Sequence, residues 1–410
     1  MHHFFAFYRA LGRKARNRLW ASTAGAAFEA MDFIAFPLVA STLVWLWKLP
    51  PVTTGAITSA TLFCSSLGSL IAGYVSTRFG QLRTMQVALL LLSAGSALSA
   101  CAQNATQLLA FRALLGFGFG IDAVVALLTL RQALDRNNHG RVPELYQGFH
   151  AVGWILALVV QMLAYSFFRP QIAWRVMFAA GVLPALLIHF IRRNLAEAAS
   201  AVSKRPVATG SIQELFPENS SAIITGGLLT ACAQGSFYAM MTWLPQFLRT
   251  QRHAPVLASM PYLFVLIGGC FCGYIFGGWL CTRLGWRRAL VASAALASVT
   301  LVAYTKLPLS ESVREALGLP LGGFAAACYP ALMATLNKLF SAGLGQQGVD
   351  LTFNMGRAVG GAFPLFCGVL SAHMKIGDAV SVLATASYAV LIVQAFLVAR
   401  KRALYPAAAD

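Results

Sequence analysis

Charge is what this sequence has least of. Only 11% of its 410 residues are charged, and the acids number 13, against 58% hydrophobic residues and a mean hydropathy of +0.68. A soluble domain of this size carries about a quarter of its residues charged, so soluble secreted, nuclear and cytosolic readings are excluded and the chain reads as a polytopic membrane protein. Cysteine is sparse too. The eight cysteines lie in or beside apolar runs, and Cys270 and Cys272 have no ligand-spaced mates, so they read as small core residues rather than a metal site or a disulfide framework. The net charge of +18 contains no continuous basic run interleaved with stacking aromatics, which removes the case for a nucleic-acid partner.

Long apolar runs are plentiful instead. A helix crosses a bilayer in about 20 apolar residues, and twelve such stretches lie at approximately 20–47, 54–76, 84–102, 107–130, 145–167, 173–191, 220–247, 257–280, 288–306, 317–338, 349–371 and 377–398. The first follows Arg9, Arg13, Lys14, Arg16 and Arg18 and contains two acids, too long and too polar for a cleaved signal peptide. Of the 31 Lys and Arg, twenty-one fall in the N-terminus, the exits of even-numbered stretches and the C-terminus, and eight in the opposite loops; Arg112 and Arg357 remain inside helices. The positive-inside rule then predicts both termini in the cytoplasm of a cell inner membrane. Most of the +18 is accounted for by orientation and contact with anionic lipid.

Shifting the chain by 205 residues lays Gly73, Thr77, Arg78, Gly80 and Arg83 onto Gly278, Thr282, Arg283, Gly285 and Arg288, all identical. A second echo sets Glu144 on Asp350 and Ala151-Val152-Gly153 on Ala358-Val359-Gly360. The expected architecture is an all-α membrane protein of twelve transmembrane helices in two parallel six-helix repeats around a central cavity. Residues 1–191 form the first repeat, 192–219 a cytoplasmic linker and 220–410 the second.

The repeated loop resembles the hallmark Gly-x-x-x-Asp-Arg-x-Gly-Arg-Arg of the major facilitator superfamily, with Thr77 and Thr282 in place of its Asp, and Gln81 and Trp286 in place of the following Arg. Glu29-Ala-Met-Asp32-Phe33 looks like the Glu-x-x-Asp-Phe of that family's proton-coupled metabolite symporters. Arg112 to Asp122 resembles their fourth-helix Arg-x-x-x-Gly-x-x-x-Gly-Gly-Glu, with Asp122 for Glu. Trp174-Arg175 with Gly181 and Pro184, Trp243-Leu244-Pro245, and Asn354-Met355-Gly356-Arg357 with Gly360, Gly361 and Pro364 match the same branch. The resemblance implies uptake of organic, sialic or aromatic acids, or osmolytes, together with protons, and a seventh helix lining the central cavity.

Ionisable groups at bilayer depth cost about 2.5 to 3.5 kcal/mol each, so each needs a partner, a cavity or a function. Glu29, Asp32, Arg112, Asp122 and Arg357 are those groups. Counting rise along the helices puts Glu29, Asp32, Asp122 and Arg357 in one layer and Arg112 about 15 Å beyond Asp122. Glu29 and Asp32, three apart on one helical face, suit a proton-coupling pair, with Asp122 as a charge relay; the alternative is that one acid pairs with Arg357 or caps polar backbone. Arg112 suits a substrate carboxylate through its planar fork, or else bonds backbone carbonyls. Gln234, Tyr238 and Trp243 are candidate ligand contacts or packing residues, and Asn354, His150 and His189 candidate path residues or interhelical bonds.

Arg357 reads as a packing and gating arginine. Arg78 or Arg83 is expected to meet Asp350, and Arg283 or Arg288 to meet Glu144, when the cytoplasmic side is closed; otherwise both acids only favour their own helix N-termini. Gly116, Gly118 and Gly120 imitate a nucleotide loop but lie inside an apolar helix, where they allow close packing. The resulting expectation is a monomeric secondary transporter that brings in a small organic anion with protons by alternating access. It needs no cofactor beyond the proton and no nucleic acid, and its partners are the solute and the lipid bilayer. A sugar or osmolyte symporter, a proton-coupled exporter and a transport-dead sensor are the rivals; an enzyme is not expected, because no catalytic triad, zinc spacing or phosphate loop survives the topology.

Overall fold

A computed structural model describes residues 13–133, 142–182, 212–340 and 345–404, with side chains except at 13–22, 130–147, 212–219, 345–346 and 399–404. The linker over 192–211, His189, Pro184 and the Glu144 side chain lie outside the described residues. Thirteen α-helices follow one another with no strand among the described residues. The first half holds α1 (Arg13–Trp47), α2 (Pro51–Phe79), α3 (Gln81–Cys101), α4 (Ala105–Ala133), α5 (Val142–Phe167) and α6 (Pro170–Ala180). The second holds α7 (Ile212–Gln251), α8 (Met260–Leu284), α9 (Trp286–Lys306), α10 (Glu311–Leu339), α11 (Gly345–Gly360), α12 (Phe363–Ser371) and α13 (Ile376–Leu404).

Nine of these helices are, among the described residues, long and apolar enough to cross a membrane. The sixth expected span is described only to Val182, and the seventh belongs to a helix of 40 residues. The eleventh is not the continuous stretch expected over 349–371. It breaks at Gly361, whose amide bonds the Arg357 carbonyl at 2.8 Å, and restarts with Pro364 in the first turn of α12. Proline fits there because the first-turn amides have no intrahelical acceptor.

Burial is arranged for lipid rather than water. Leu90, Ile224, Ile275, Val299 and Val393 are exposed on the outside, while Glu29, Asp32, Arg112, Asp122, Gln161, Gln234 and Gln246 are buried. Hydroxyls on α2 bond their own helix, as Thr61 does to the Ile57 carbonyl at 2.9 Å and Ser66 to Leu62 at 3.1 Å, so few polar groups confront hydrocarbon.

The repeat is visible in the packing. In the first half α1 packs on α5 and α6, α2 on α4, and α3 on α4 and α6. In the second α7 packs on α11 and α13, α8 on α10, and α9 on α10 and α13. Each pairing recurs six spans later, with α11 and α12 counted as one span. The only glycines with positive φ among the described residues, Gly80 (86°) and Gly285 (77°), stand between α2 and α3 and between α8 and α9. They are repeat mates, and their left-handed backbone turns the chain at a place no β-carbon tolerates well.

Close approach fixes the helix pairs. A β-carbon on Gly116 or Gly120 would strike the carbonyls of Thr61 or Ser65 on α2, and one on Gly269 or Gly273 would strike Leu319 or Gly323 on α10. The halves join through α2 against α11 and α12, α5 against α8, and α1 against α7. These contacts start at the end opposite the Arg-rich α2–α3 and α8–α9 turns: Gly368 lies against Pro51, Gly55 against Pro364 and Leu365, and Arg249 donates to Ser41 at 3.0 Å and Thr42 at 3.1 Å. They reach the middle, where Arg357 meets α2. Nearer the basic end, a β-carbon on Gly73 of α2 would meet nothing within 4 Å.

Candidate functional site

The buried charges do not share the layer that counting along the sequence predicts. Helix α1 begins at Arg13, so Asp32 stands about 28 Å along it, and Arg112 about 31 Å from the basic end of α4, whereas Asp122 is only about 16 Å from that end. Asp32 and Arg112 therefore pair. Their Oδ1 and Nη1 are 3.7 Å apart, with side chains 4% and 1% exposed. Arg112 Nη2 donates to the carbonyls of Asp32 at 3.1 Å and Phe33 at 3.0 Å, and its guanidinium lies 5.3 Å from the Phe178 ring. Of the Arg112 fork proposed for a substrate carboxylate, Nη2 holds α1 backbone and Nη1 faces Asp32, while Nε and Nη1 are buried without a hydrogen-bond partner.

Ser96 of α3 completes that site. Its Oγ is 2.8 Å from Asp32 Oδ1 and 2.8 Å from the Phe178 carbonyl of α6, and a β-carbon on Gly181 would collide with both Asp32 and Ser96. Glu29 is also buried, as is Asp122 on α4.

One residue on, the chemistry changes. Successive residues of a helix turn about 100°, so Phe33 faces the junction of the halves while Asp32 faces α3, α4 and α6. The Phe33 ring stacks on Phe119 at 5.4 Å and lies 6.5 Å from Tyr238 of α7. Tyr238 neighbours Phe237 at 6.5 Å, Phe237 meets Tyr329 at 5.4 Å, and Tyr329 meets Tyr274 at 5.8 Å. On the α5 side, His150 approaches Phe119 at 6.3 Å and Trp154 meets Phe237 at 5.6 Å. Aromatic rings from α1, α4, α5, α7, α8 and α10 thus run across the middle of the molecule.

Two donors in this run have no acceptor. Tyr238 donates to Gln234 Oε1 at 2.8 Å, but Gln234 Nε2 and Trp154 Nε1 are buried without hydrogen-bond partners. A buried donor left so costs about 1 to 3 kcal/mol, which a ligand oxygen or a water removes.

The remaining sequence candidates fall in three places. Arg357 crosses from α11 to bond Ser69 Oγ of α2, and reaches Asn354 Oδ1 at 2.9 Å; it lies within electrostatic range of Tyr238. Asn354 Nδ2 bonds the Asp350 carbonyl at 2.8 Å. Trp243, a candidate ligand contact, is fully buried towards the opposite end, with Nε1 on the Pro364 carbonyl at 3.0 Å. It pins the restart of α12. Arg78 bonds the Tyr74 phenol at 2.8 Å and Arg283 lies 5.9 Å from the Trp279 ring. Arg83, Arg288 and Asp350 sit at the same basic end.

Sequence reasoning missed Phe33 as a ring in the junction, and Phe119, Trp154, Tyr274, Tyr329 and Ser96 altogether. For two of them the signal is a helical face shared with a group already singled out: Phe33 lies four residues from Glu29, and Trp154 four from His150. Among the described residues no three His, Cys, Asp or Glu gather as a metal site.

Residues 21–364 match the Major Facilitator Superfamily. The chain is 28% identical over 405 residues to a probable 4-methylmuconolactone transporter of Cupriavidus pinatubonensis, covering 98% of this chain and 94% of that one. It is 28% identical over 314 residues to the niacin transporter NiaP of Acinetobacter baylyi, covering 69% and 70%. A crystal structure of a bacterial homolog of the human lysosomal transporter Spinster, in an inward-facing and occupied conformation, superposes with a TM-score of 0.72 over 93% of this chain and 96% of that chain, at 15% identity. Taken with the twofold packing and the charges buried between lipid-facing helices, these matches identify the chain as a membrane transporter belonging to the Major Facilitator Superfamily, and not as an enzyme.

Proposed function

We propose that this transporter takes up a small, single-ring organic acid together with protons across the inner membrane, with both termini in the cytoplasm. The observation that carries the reading is the aromatic run between the halves, with the unpartnered donors of Gln234 and Trp154 within it. Flat rings favour offset or edge-on contact with a flat solute, and two neutral N–H donors suit the oxygens of a carboxylate or a ring carbonyl. The solutes named for the two relatives, 4-methylmuconolactone and niacin, are small rings bearing an acid group.

Protons act at a separate place. Asp32, sealed beside Arg112 and Ser96, carries one when neutral and draws on the Arg112 charge when ionised. Arg112 links the two places, because the same Nη2 holds the carbonyls of Asp32 and of Phe33, whose ring belongs to the aromatic run. Alternating access then consists of opening the seal made by Pro51–Gly368, Gly55–Pro364 and Arg249–Ser41 while the basic end closes around Asp350. One chain supplies both places.

The test is uptake into proteoliposomes of the purified protein, with and without an inward proton gradient, across nicotinate, other one-ring carboxylates and pentoses. Gradient-driven accumulation of ring acids with no accumulation of pentoses is expected. Accumulation of a pentose, or ring-acid uptake indifferent to the gradient, overturns the reading.

A further inference from the structure

The Ser96 hydroxyl has one proton and two acceptors at equal distance. Asp32 Oδ1 and the Phe178 carbonyl oxygen each lie 2.8 Å from Ser96 Oγ, and a hydroxyl fills one such short bond as donor. Both contacts are hydrogen bonds only when Asp32 supplies the other proton: Asp32 O–H donates to Ser96 Oγ, and Ser96 O–H donates to Phe178. When Asp32 loses its proton to solvent, the charged carboxylate is the stronger acceptor. The single remaining proton then points from Ser96 to Asp32, and the Phe178 carbonyl loses its donor from α3.

That carbonyl occupies a sensitive place. α6 ends at Ala180, and the turn after it is closed by Gly181 N–H on the Phe178 carbonyl at 3.0 Å and Val182 N–H on Ala179 at 3.0 Å. From its own chain the Phe178 carbonyl receives the Gly181 amide, and the Ser96 bond ties this last turn to α3, about one turn beyond the Arg175 Nη1 bond to the Ala100 carbonyl at 2.6 Å. The other hydroxyls of α3 behave differently. Ser93 bonds the Leu89 carbonyl at 2.8 Å and Ser99 the Gly95 carbonyl at 2.6 Å, both within their own helix. Gly181 leaves room for the arrangement, since any β-carbon there displaces both the acid and the hydroxyl.

We propose that Ser96 is a positioning residue that reports the protonation of Asp32 to the end of α6: it ties α6 to α3 while Asp32 holds a proton and releases it when the proton leaves. The inference rests on the proton-coupled reading above. Arg112 of α4 is the charged group facing Asp32, at 3.7 Å. α3 presents Ser96, and α6 the Phe178 carbonyl and Gly181. Glu29 lies one turn along α1. His150 of α5 and Tyr238 of α7 stand behind Phe119 and Phe33.

The test is hydrogen exchange by mass spectrometry on the full chain in lipid nanodiscs from acid to alkaline pH, corrected for the intrinsic base-catalysed rate and read on peptides covering 175–182. In the unmodified protein, protection is expected to fall about fivefold as Asp32 ionises, the loss of one net hydrogen bond. Asp32→Asn, whose amide donates to Ser96 at every pH, should stay protected throughout. Ser96→Ala should stay unprotected throughout, and Gly181→Ala, which displaces the same pair from the other side, should also lose the pH dependence. Wild-type pH dependence retained in Ser96→Ala, or in Gly181→Ala if the serine variant does not fold, overturns the proposal. So does identical exchange in Asp32→Asn and the unmodified protein at every pH. Gradient-driven uptake is measured in parallel: its absence in the unmodified protein rejects proton coupling itself, whereas its presence alongside a negative exchange result rejects only the role of Ser96.

Discussion

The two halves share one packing plan and divide the chemistry. Glu29, Asp32 and Phe33 of α1 correspond, 205 residues on, to Gln234, Phe237 and Tyr238 of α7. In the first half the positions hold two acids and a ring; in the second they hold an amide and two rings. The mates Phe33 and Tyr238 approach each other across the junction at 6.5 Å, so the repeat axis passes through the aromatic run. On the reading proposed above, these unequal side chains on equal backbones put the proton in the first half and rings of both halves against the solute. An acid kept at the α7 positions would add one more buried ionisable group, at about 2.5 to 3.5 kcal/mol, next to the rings.

Removing the acid is the severest way to break this asymmetry. Asp32→Asn is expected to reduce gradient-driven accumulation to simple equilibration while solute exchange across the vesicle membrane continues, because exchange needs alternation but no deprotonation. Full accumulation in a folded Asp32→Asn, Glu29→Gln double variant would show that coupling lies elsewhere.

Next in size is the pairing of charge within the first half. Arg112→Ala leaves Asp32 buried without its counter-charge and also removes donors from two α1 carbonyls, so a loss of about 3 to 5 kcal/mol is expected. Arg112→Lys should recover only part, since an ammonium lacks the planar fork. Thermal unfolding in detergent measures both. A double variant with Asp32→Asn should be more stable than Arg112→Ala alone, and strict additivity of the two changes would deny the coupling.

Much of this plan was legible in the sequence, and the parts that were not share a cause. Run length and loop charge find spans because every backbone group in a bilayer must be satisfied within its own helix, and Gly80 and Gly285 mark the repeat because their turns need positive φ. Pairing between helices has no such local signal. Asp32 meets Arg112 because α1 packs on α4 at that level, a registration between two helices that counting along each one separately does not give. Ser96 resembles Ser93 and Ser99 in every local respect. Only the approach of α6 singles it out. Trp243 looked like a ligand contact for the opposite reason: a tryptophan on a helix that lines the junction can equally face the neighbouring span, and the break at Gly361 is what receives it.

The aromatic run between the halves offers a milder test. Trp154→Phe keeps the ring against Phe237 and removes only the N–H, and Gln234→Leu removes the amide donor together with the acceptor of the Tyr238 hydroxyl. Each is expected to weaken binding of the transported ring acid about tenfold without moving the pH at which uptake is half-maximal. Titration calorimetry on the purified protein checks the affinity. A shift of the pH midpoint with unchanged affinity would place these residues on the proton side and erase the division between the Asp32 site and the aromatic run.

The smallest effect is expected at the basic end, where the halves are alike again. Both family-type loops carry Thr in place of an acid, at Thr77 and Thr282, and both hydroxyls bond their own helix, to the Tyr74 carbonyl at 2.8 Å and the Trp279 carbonyl at 2.7 Å. The loops therefore present Arg78, Arg83, Arg283 and Arg288 without a local acid, and acids stand instead at Glu144 and Asp350, early in α5 and α11. Glu144, in the first turn of α5, favours its own helix N-terminus by about 0.3 to 1 kcal/mol whichever way the transporter faces, whereas Asp350 lies beyond the first turn of α11, where that effect fades. A bond to Arg78 or Arg83 is added only when that end closes. Asp350→Asn should thus favour states open at the basic end by a few-fold in population, and exchanging the charges, Arg78→Asp with Asp350→Arg, should restore part of the balance. Electron–electron double resonance between spin labels on the α2–α3 turn and the start of α11 reads the populations directly. Distance distributions unchanged in Asp350→Asn would deny the bond across the basic end.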